Sequence, residues 1–440
     1  MTLPTATVVA QDIRSSPPVR LDTVKSTTAA PVLDRETLGR GHKMLHDVWG
    51  ALKEFYYDTA FAGIDTAAAV NAANASIEQA PDQAHMVASL VTFLDGFKDS
   101  HTYLIPPGLA ASVDYGWTWQ IMGEKCFATD VKEGSDAAVQ GLRLGDEIVA
   151  IDRIRPTREN IYTVSLAYYR LRMRPGMHLS VIHADGTPAQ FTIKSKITQE
   201  TSVYDIQDPD VRRRLQYEAE LHGRPVHLTK VINDSVFVWH IGTFGYEDDE
   251  IDHLMDRAAR YKGLILDLRG NGGGAEEALL RLLGHFFPQP FVAVRVKTRG
   301  KVDSLYVRPN GKLFTGDAVV LIDSRSASAS ELVARTLQMK GRATIVGDRS
   351  AGAVMRAYQL GFSLDVNRER SIPYRMSVTV SDPVMADGGR LENNGVIPNV
   401  ADVPTAQDLL NHRDPVMSFA LELLGVKMDP VSAAKVLGQH

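Results

Sequence analysis

Cysteine is nearly absent: the 440 residues include one, Cys126. A single thiol excludes an internal disulfide framework and the thiolate set of a structural zinc site, so Cys126 reads as a small buried hydrophobe. Long apolar runs are missing too. No stretch reaches the roughly 20 residues that cross a bilayer, which argues against an integral membrane segment. Dense clusters of Lys and Arg are lacking and the formal net charge is a modest -5. Without a basic footprint, no nucleic-acid partner is expected. The part that reads as folded contains no internal repeat and no low-complexity tract.

What is present is ordinary globular material. Hydrophobic residues make up 44% and charged residues 23%, and the length suggests two or three domains. Residues 1–34 are rich in Ser, Thr, Pro and Val without sustained periodicity and read as a disordered arm. Val8-Val9-Ala10 before Gln11 resembles the end of a signal peptide, although a charged n-region and a full h-region are absent. A leader remnant and a plain tail both stay open, and with them a periplasmic or secreted location and a cytoplasmic one.

Residues 35–106 carry helical spacing in Leu45, Val48, Trp49, Leu52 and Phe55, and again in Met86, Leu90, Phe93, Leu94 and Phe97 after an Asp82 cap. Residues 107–197 change to short β-type runs between Gly and Asp turns: 127–131, 148–151 and 179–182. From Val236 onward strands and amphipathic helices alternate, which predicts an α/β domain over 198–440 with a helical tail.

Two strand ends in that domain are unusual. The first, Leu268-Arg269-Gly270-Asn271-Gly272-Gly273-Gly274, sets three consecutive glycines between a buried strand and a helix. Backbone amides in such a loop face an anion or oxyanion, or the loop serves as a close-packing turn. In the second, the strand ending Leu321-Ile322-Asp323 enters Ser324-Arg325-Ser326-Ala327-Ser328-Ala329-Ser330-Glu331 before a helix. A serine there gains from the positive helix end and from unpaired amides. Ser330 reads as the N-cap, and capping with tight packing accounts for the Ser-Ala alternation equally well.

Taken together, 263–274 and 317–347 resemble the paired signature of the carboxyl-terminal processing peptidases, serine peptidase family 41. The resemblance extends to Asp99-Ser100-His101-Thr102 and to Glu392-Asn393-Asn394-Gly395-Val396-Ile397-Pro398-Asn399. It also takes in 134–152, which looks like the core of a PDZ domain of bacterial proteases. It implies an α/β fold with a ClpP/crotonase-like peptidase core, an inserted β-rich PDZ-like domain and an N-terminal helical domain. By motif position the nucleophile is Ser328, with oxyanion donors at the amides of Ala329 and of Gly272 or Gly273. No metal and no cofactor are implied, the partner is a protein or peptide substrate entered near its C-terminus, and self-association stays open.

The chain departs from the lysine-type pattern. Where tail-specific members carry a base in Gly-Lys-Gly, the sequence reads Gly347-Asp348-Arg349-Ser350-Ala351-Gly352-Ala353-Val354, and the aligned Ala353 accepts no proton. Lys340 lies elsewhere on the nucleophile helix. The tricorn branch of the family offers another arrangement. It implies His101 as base, Ser100 orienting the imidazole and Glu392 holding Ser100, with Asp99 a loop or cap residue. An Asp-x-His-Thr element also occurs in lysine-type relatives, so a structural role for His101 stays open. In the PDZ-like domain the resemblance sets Tyr115, Gly116, Trp117 and Thr118 of the Tyr115-Gly116-Trp117-Thr118-Trp119 segment to capture a peptide end; aromatic packing is the competing reading. Without a base a serine is a weak nucleophile. A catalytically silent binding protein, like retinoid-binding modules of this scaffold, and a hydrolase of non-peptide esters or amides are the alternatives.

Overall fold

In a computed structural model of the chain, the described residues are 33–106, 111–171, 174–199, 228–245, 248–367 and 370–437. The leader-like Val8–Ala10 stretch lies outside them. Helices Arg35–Phe55, Thr66–Glu78 and Gln83–Asp95 come first, capped by the side chains of Asp34, Asp65 and Asp82 as acceptors from the first-turn amides. Strand β1, Tyr103–Ile105, follows.

The next stretch is a β-rich insertion: β2 (Ala111–Asp114), β3 (Trp117–Met122), β4 (Lys125–Val131), β5 (Glu147–Ile151), β6 (Gly176–Ile182), β7 (Pro188–Lys194) and β8 (Lys196–Gln199). Strands β3 to β7 form a five-stranded antiparallel sheet in sequence order. The β2–β8 pair brings the ends of the insertion together. Trp117, Trp119, Ile148, Leu179 and Ile193 bury a core of their own, and Cys126 lies in it. Burial pushes its thiol up to about 12, so it stays protonated.

The remaining strands are β9 (Leu228–Ile232), β10 (Val236–His240), β11 (Gly263–Asp267), β12 (Phe291–Thr298), β13 (Lys301–Val307), β14 (Asp317–Ile322), β15 (Thr344–Gly347), β16 (Arg356–Asn367), β17 (Arg370–Met385) and β18 (Val400–Ala401). A six-stranded sheet runs β18-β15-β14-β11-β10-β9, parallel except at β9. Both faces are covered, which explains the near-continuous apolar strands. Leu264, Leu266, Val320 and Ile322 pack under helices Asp248–Ala258, Glu276–Gly284 and Ala329–Met339. The alternate residues Ile265, Val319, Leu321 and Val346 meet helix Pro415–Leu423.

A second sheet orders β1-β17-β12-β13, with β16 also on β17. Its residues Leu364, Tyr374, Met376 and Val378 share one buried cluster with the three N-terminal helices, so those helices are sealed by strands from the other end of the chain. β1 pairs antiparallel with β17, Tyr103 opposite Ser377. That pairing carries residues 99–101 toward the carboxyl ends of β11, β14 and β15, where ligand crevices form in sheets of this kind. No helix of the described residues is long and apolar enough to cross a membrane.

Candidate active site

Three loops meet at the carboxyl edge of the parallel sheet: 268–274 after β11, 323–328 after β14 and 348–354 after β15. The alternating serines divide their roles. Ser326 Oγ donates to Leu268 O at 2.7 Å, and Ser330 Oγ donates to Asn271 O at 3.0 Å, so the outer two lash the turn to the glycine loop. The middle hydroxyl, Ser328 Oγ, donates to no group among the described residues; it faces only the Glu331 N–H, as an acceptor in a capping box. Ser328 stands at φ 56°, ψ -119°, a strained non-glycine conformation at the mouth of helix Ala329–Met339. The N-cap position is therefore Ser328 and not Ser330, which lies inside the helix.

The motif resemblance assigns Glu331 no role, though Ser328-x-x-Glu331 has the spacing of a capping box. Its fully buried carboxylate accepts Ser350 Oγ at 2.6 Å and Gly352 N–H at 2.7 Å on one oxygen. The other oxygen accepts Ala353 N–H at 2.9 Å and Ser328 N–H at 3.1 Å. The Glu331 N–H bonds Ser328 O at 3.0 Å and also faces Ser328 Oγ, so a capping box forms in which the hydroxyl only accepts and its proton stays available. Burial pushes Glu331 up to about 7, while its four donors pull the other way. In Glu331→Gln the amide nitrogen cannot accept, so two donors lose their acceptor. We expect kcat to fall about 10- to 100-fold with KM little changed, since small misplacements of reacting groups have effects of this size. A pH titration of kcat checks this, with any inflection near 7 lost in the variant.

The glycine loop is held by Asn271, fully buried, whose side chain bonds Ile241 O at 2.7 Å and accepts Gly273 N–H at 2.8 Å. That bond removes Gly273 from the oxyanion donors, a correction to the pair left open by the motif. Gly273 serves by its missing side chain: a Cβ there would lie 2.6 Å from Ser328 Cβ. The N–H groups of Gly272 and Ala329 have no partner among the described residues.

His101, Ser100 and Glu392 do come together. Glu392, 7% exposed, accepts Ser100 N–H at 2.7 Å, Ser100 Oγ–H at 3.0 Å and Val354 N–H at 3.0 Å. Ser100 Oγ also lies 2.7 Å from His101 Nδ1. A hydroxyl has one proton, and a carboxylate only accepts, so the proton of Ser100 goes to Glu392 and Nδ1–H donates to Ser100. The neutral ring then carries its lone pair on Nε2. Burial lowers the His101 pKa from 6.5, with Asp99 opposing, and burial raises Glu392 above 4.5 against its hydrogen bonds. Asp99 is a turn residue, its Oδ1 accepting the N–H groups of His101 at 3.0 Å and Thr102 at 2.7 Å.

Ser328 is the near neighbour of this cluster through one peptide: Ala353 O accepts Ser328 N–H at 2.8 Å, and the next residue, Val354, bonds Glu392. No hydrogen bond joins His101 to Ser328 Oγ among the described residues. Ala353 thus lies beside the serine, whereas Lys340 ends the helix with its ammonium 4.3 Å from the Phe291 ring centroid. Tyr115 and Trp117 are buried in the insertion's core, Gly116 N–H donates to Asp114 Oδ1 at 2.8 Å, and Thr118 is exposed beside Thr129. The expected peptide-capturing segment is therefore not an open set of donors. Among the described residues no cluster of His, Cys, Asp and Glu could hold a metal ion.

Residues 236–402 match peptidase family S41. The carboxyl-terminal-processing protease of Synechocystis sp. is 28% identical over 227 residues, covering 50% of this chain and 47% of the relative. The carboxy-terminal-processing protease of Bartonella bacilliformis is 39% identical over 99 residues, 21% and 22% of the two chains. The chain spans about half the length, or less, of such relatives. In fold it is similar to mature CPAF, solved with lactacystin, at TM-score 0.63 and 16% identity, covering 88% of this chain and 97% of that one.

Proposed function

Taking as premise that residues 236–402 are a peptidase family S41 domain, we propose that this chain is a serine endopeptidase acting on proteins, with a Ser-His pair in place of a Ser-Lys dyad. The observation that carries this reading is a Ser328 hydroxyl that donates to no group of the described residues, at a strained helix mouth joined through the Ala353–Val354 peptide to Glu392, which holds Ser100 and through it an imidazole whose Nε2 is left as the acceptor. Ser328 Oγ attacks the scissile carbonyl carbon as its proton passes to His101 Nε2. The developing oxyanion takes the N–H groups of Ala329 and Gly272. His101 then returns the proton to the departing amine, leaving an acyl-enzyme that water cleaves by the same relay. Glu392 and Ser100 hold the ring in the Nδ1–H tautomer. The closing step is rotation of Ser328 and the imidazole toward each other, since catalytic hydrogen bonds often tighten only with substrate bound.

Lactacystin, which CPAF binds, and a serine-directed phosphonate are expected to modify Ser328, read by peptide mass spectrometry. Labelling elsewhere, or nowhere, sinks the nucleophile assignment. The pH dependence has a definite sign. His101 must be neutral and Glu392 ionised, so activity is lost on the acid side, as the imidazole protonates below 6.5 and the carboxylate protonates above 4.5. A kcat/KM profile that rises with acidity contradicts the relay. The unjoined Ser328 and His101, with Ala353 in the lysine's place, favour a silent binding protein as the second reading. Absence of turnover on unfolded polypeptides, with no labelling, selects it.

A further inference from the structure

Capture of a peptide end by the inserted module needs an open strand edge and backbone amides free to take a carboxylate. The edges of its five-stranded sheet are β3 and β7. β3 is already engaged by the peptidase core. The carbonyls of Trp119 and Ile121 accept from the Arg325 guanidinium and from Ser324 Oγ, and Gln120 Nε2 donates to Asp323 Oδ2 at 2.8 Å. Those three partners form the turn between β14 and Ser328. An added strand would have to displace them.

The flank of β3 is closed as well. The rings of Trp117 and Trp119 lie 5.0 Å apart, Trp119 and Tyr169 5.5 Å, Tyr115 and Tyr169 5.4 Å, so aromatic side chains fill the slot beside helix Ile161–Leu166 and its continuation. At the strand's entry, Asp114 occupies the Gly116 amide, and a Cβ on Gly116 would meet Ser135 Cβ at 2.3 Å. β7 opens with Pro188, and Asp136 takes its Lys194 N–H at 2.6 Å.

We propose that this module braces the nucleophile turn and is not a receptor for chain ends, so the substrate is an internal, extended segment selected without a terminal carboxylate. The proposal rests on the serine peptidase reading above, and it replaces the expectation of cleavage near C-termini. The brace has a second strut. Arg158, 11% exposed, pairs with Asp348 at 2.6 Å and donates to Gly123 O at 2.9 Å and Arg349 O at 3.0 Å, while Gly123 N–H bonds Asp348 at 2.8 Å. Asp348 begins the loop whose amides hold Glu331 and Glu392. Arg158 is thus a positioning residue, acting on Ser328 and His101 through that loop.

The test uses the full chain. Cut sites are mapped on a reduced and alkylated protein, and one site is then presented in two synthetic peptides that differ only in a C-terminal acid or amide. We expect kcat/KM values within about twofold; a preference of about tenfold or more for the acid, the size of a lost charge-assisted contact, overturns the proposal. Titrating both peptides into Ser328→Ala protein makes the comparison without turnover, and selective binding of the acid overturns it equally. For the brace, Arg158→Ala is expected to lower kcat about tenfold or more at nearly constant KM, with partial recovery in Arg158→Lys; unchanged kcat removes it. If no inhibitor labels Ser328 and nothing is cut, the serine peptidase reading fails, while the titration still decides what the module does.

Discussion

Replacing His101 by alanine lowers kcat by about four to six orders of magnitude while the protein stays folded, the range expected when a serine nucleophile loses its general base. The fold survives because its local architecture does not depend on the ring. Asp99 holds the backbone N–H groups of His101 and Thr102, accepts the Thr379 hydroxyl at 2.5 Å and takes Tyr56 O–H at 3.0 Å. Ser100→Ala is milder, about 10- to 100-fold, because the ring keeps its place but loses the acceptor that selects its tautomer. Turnover and circular dichroism of the two variants check both statements. An alanine variant at His101 that keeps more than about a tenth of the activity leaves Ser328 without an identified base.

The second large effect is at Gly273, where alanine is expected to lower kcat at least about 10³-fold and to abolish phosphonate labelling. Gly273 has φ +104°, a region costly to any L side chain. Its Cβ would sit 2.6 Å from Ser328 Cβ, 3.0 Å from Ala327 O and 3.1 Å from Ala329 N. Two of those three are backbone, so relief has to move the nucleophile and the oxyanion amide together. Thermal unfolding measured beside kinetics separates this from collapse: a folded variant with unimpaired labelling contradicts the close approach.

Much of the core was legible along the chain because its strands are short, apolar and locally patterned. The runs 263–268 and 318–322 are β11 and β14 within a residue at each end. The hairpin β16–β17 was not foreseen. Its exposed and buried residues alternate weakly, and its apolar face is completed by helices more than 250 residues earlier in the chain, such as Arg35–Phe55. Nothing in the sequence marks Glu331 as buried, because a carboxylate after a serine at a helix start ordinarily faces solvent. Here two loops, 323–328 and 348–354, close over it and supply four donors. What argues against peptide capture at Tyr115 to Thr118 lay beyond reach for the opposite reason: a local motif carries no sign that a distant turn covers the strand edge at Trp119 and Ile121.

By itself the sequence determined the parallel α/β core, the serine at a helix mouth, the glycine loop facing it and the lack of an amine beside it. These are local matters of hydrophobic period, backbone freedom and side-chain chemistry. Only the tertiary structure decided which of three serines keeps its hydroxyl proton available, which glycine amide is available, and that Ser100, His101 and Glu392 converge. Those outcomes depend on hydrogen-bond partners separated by up to 292 residues, and such partners are chosen by packing and by the need to satisfy each buried polar group.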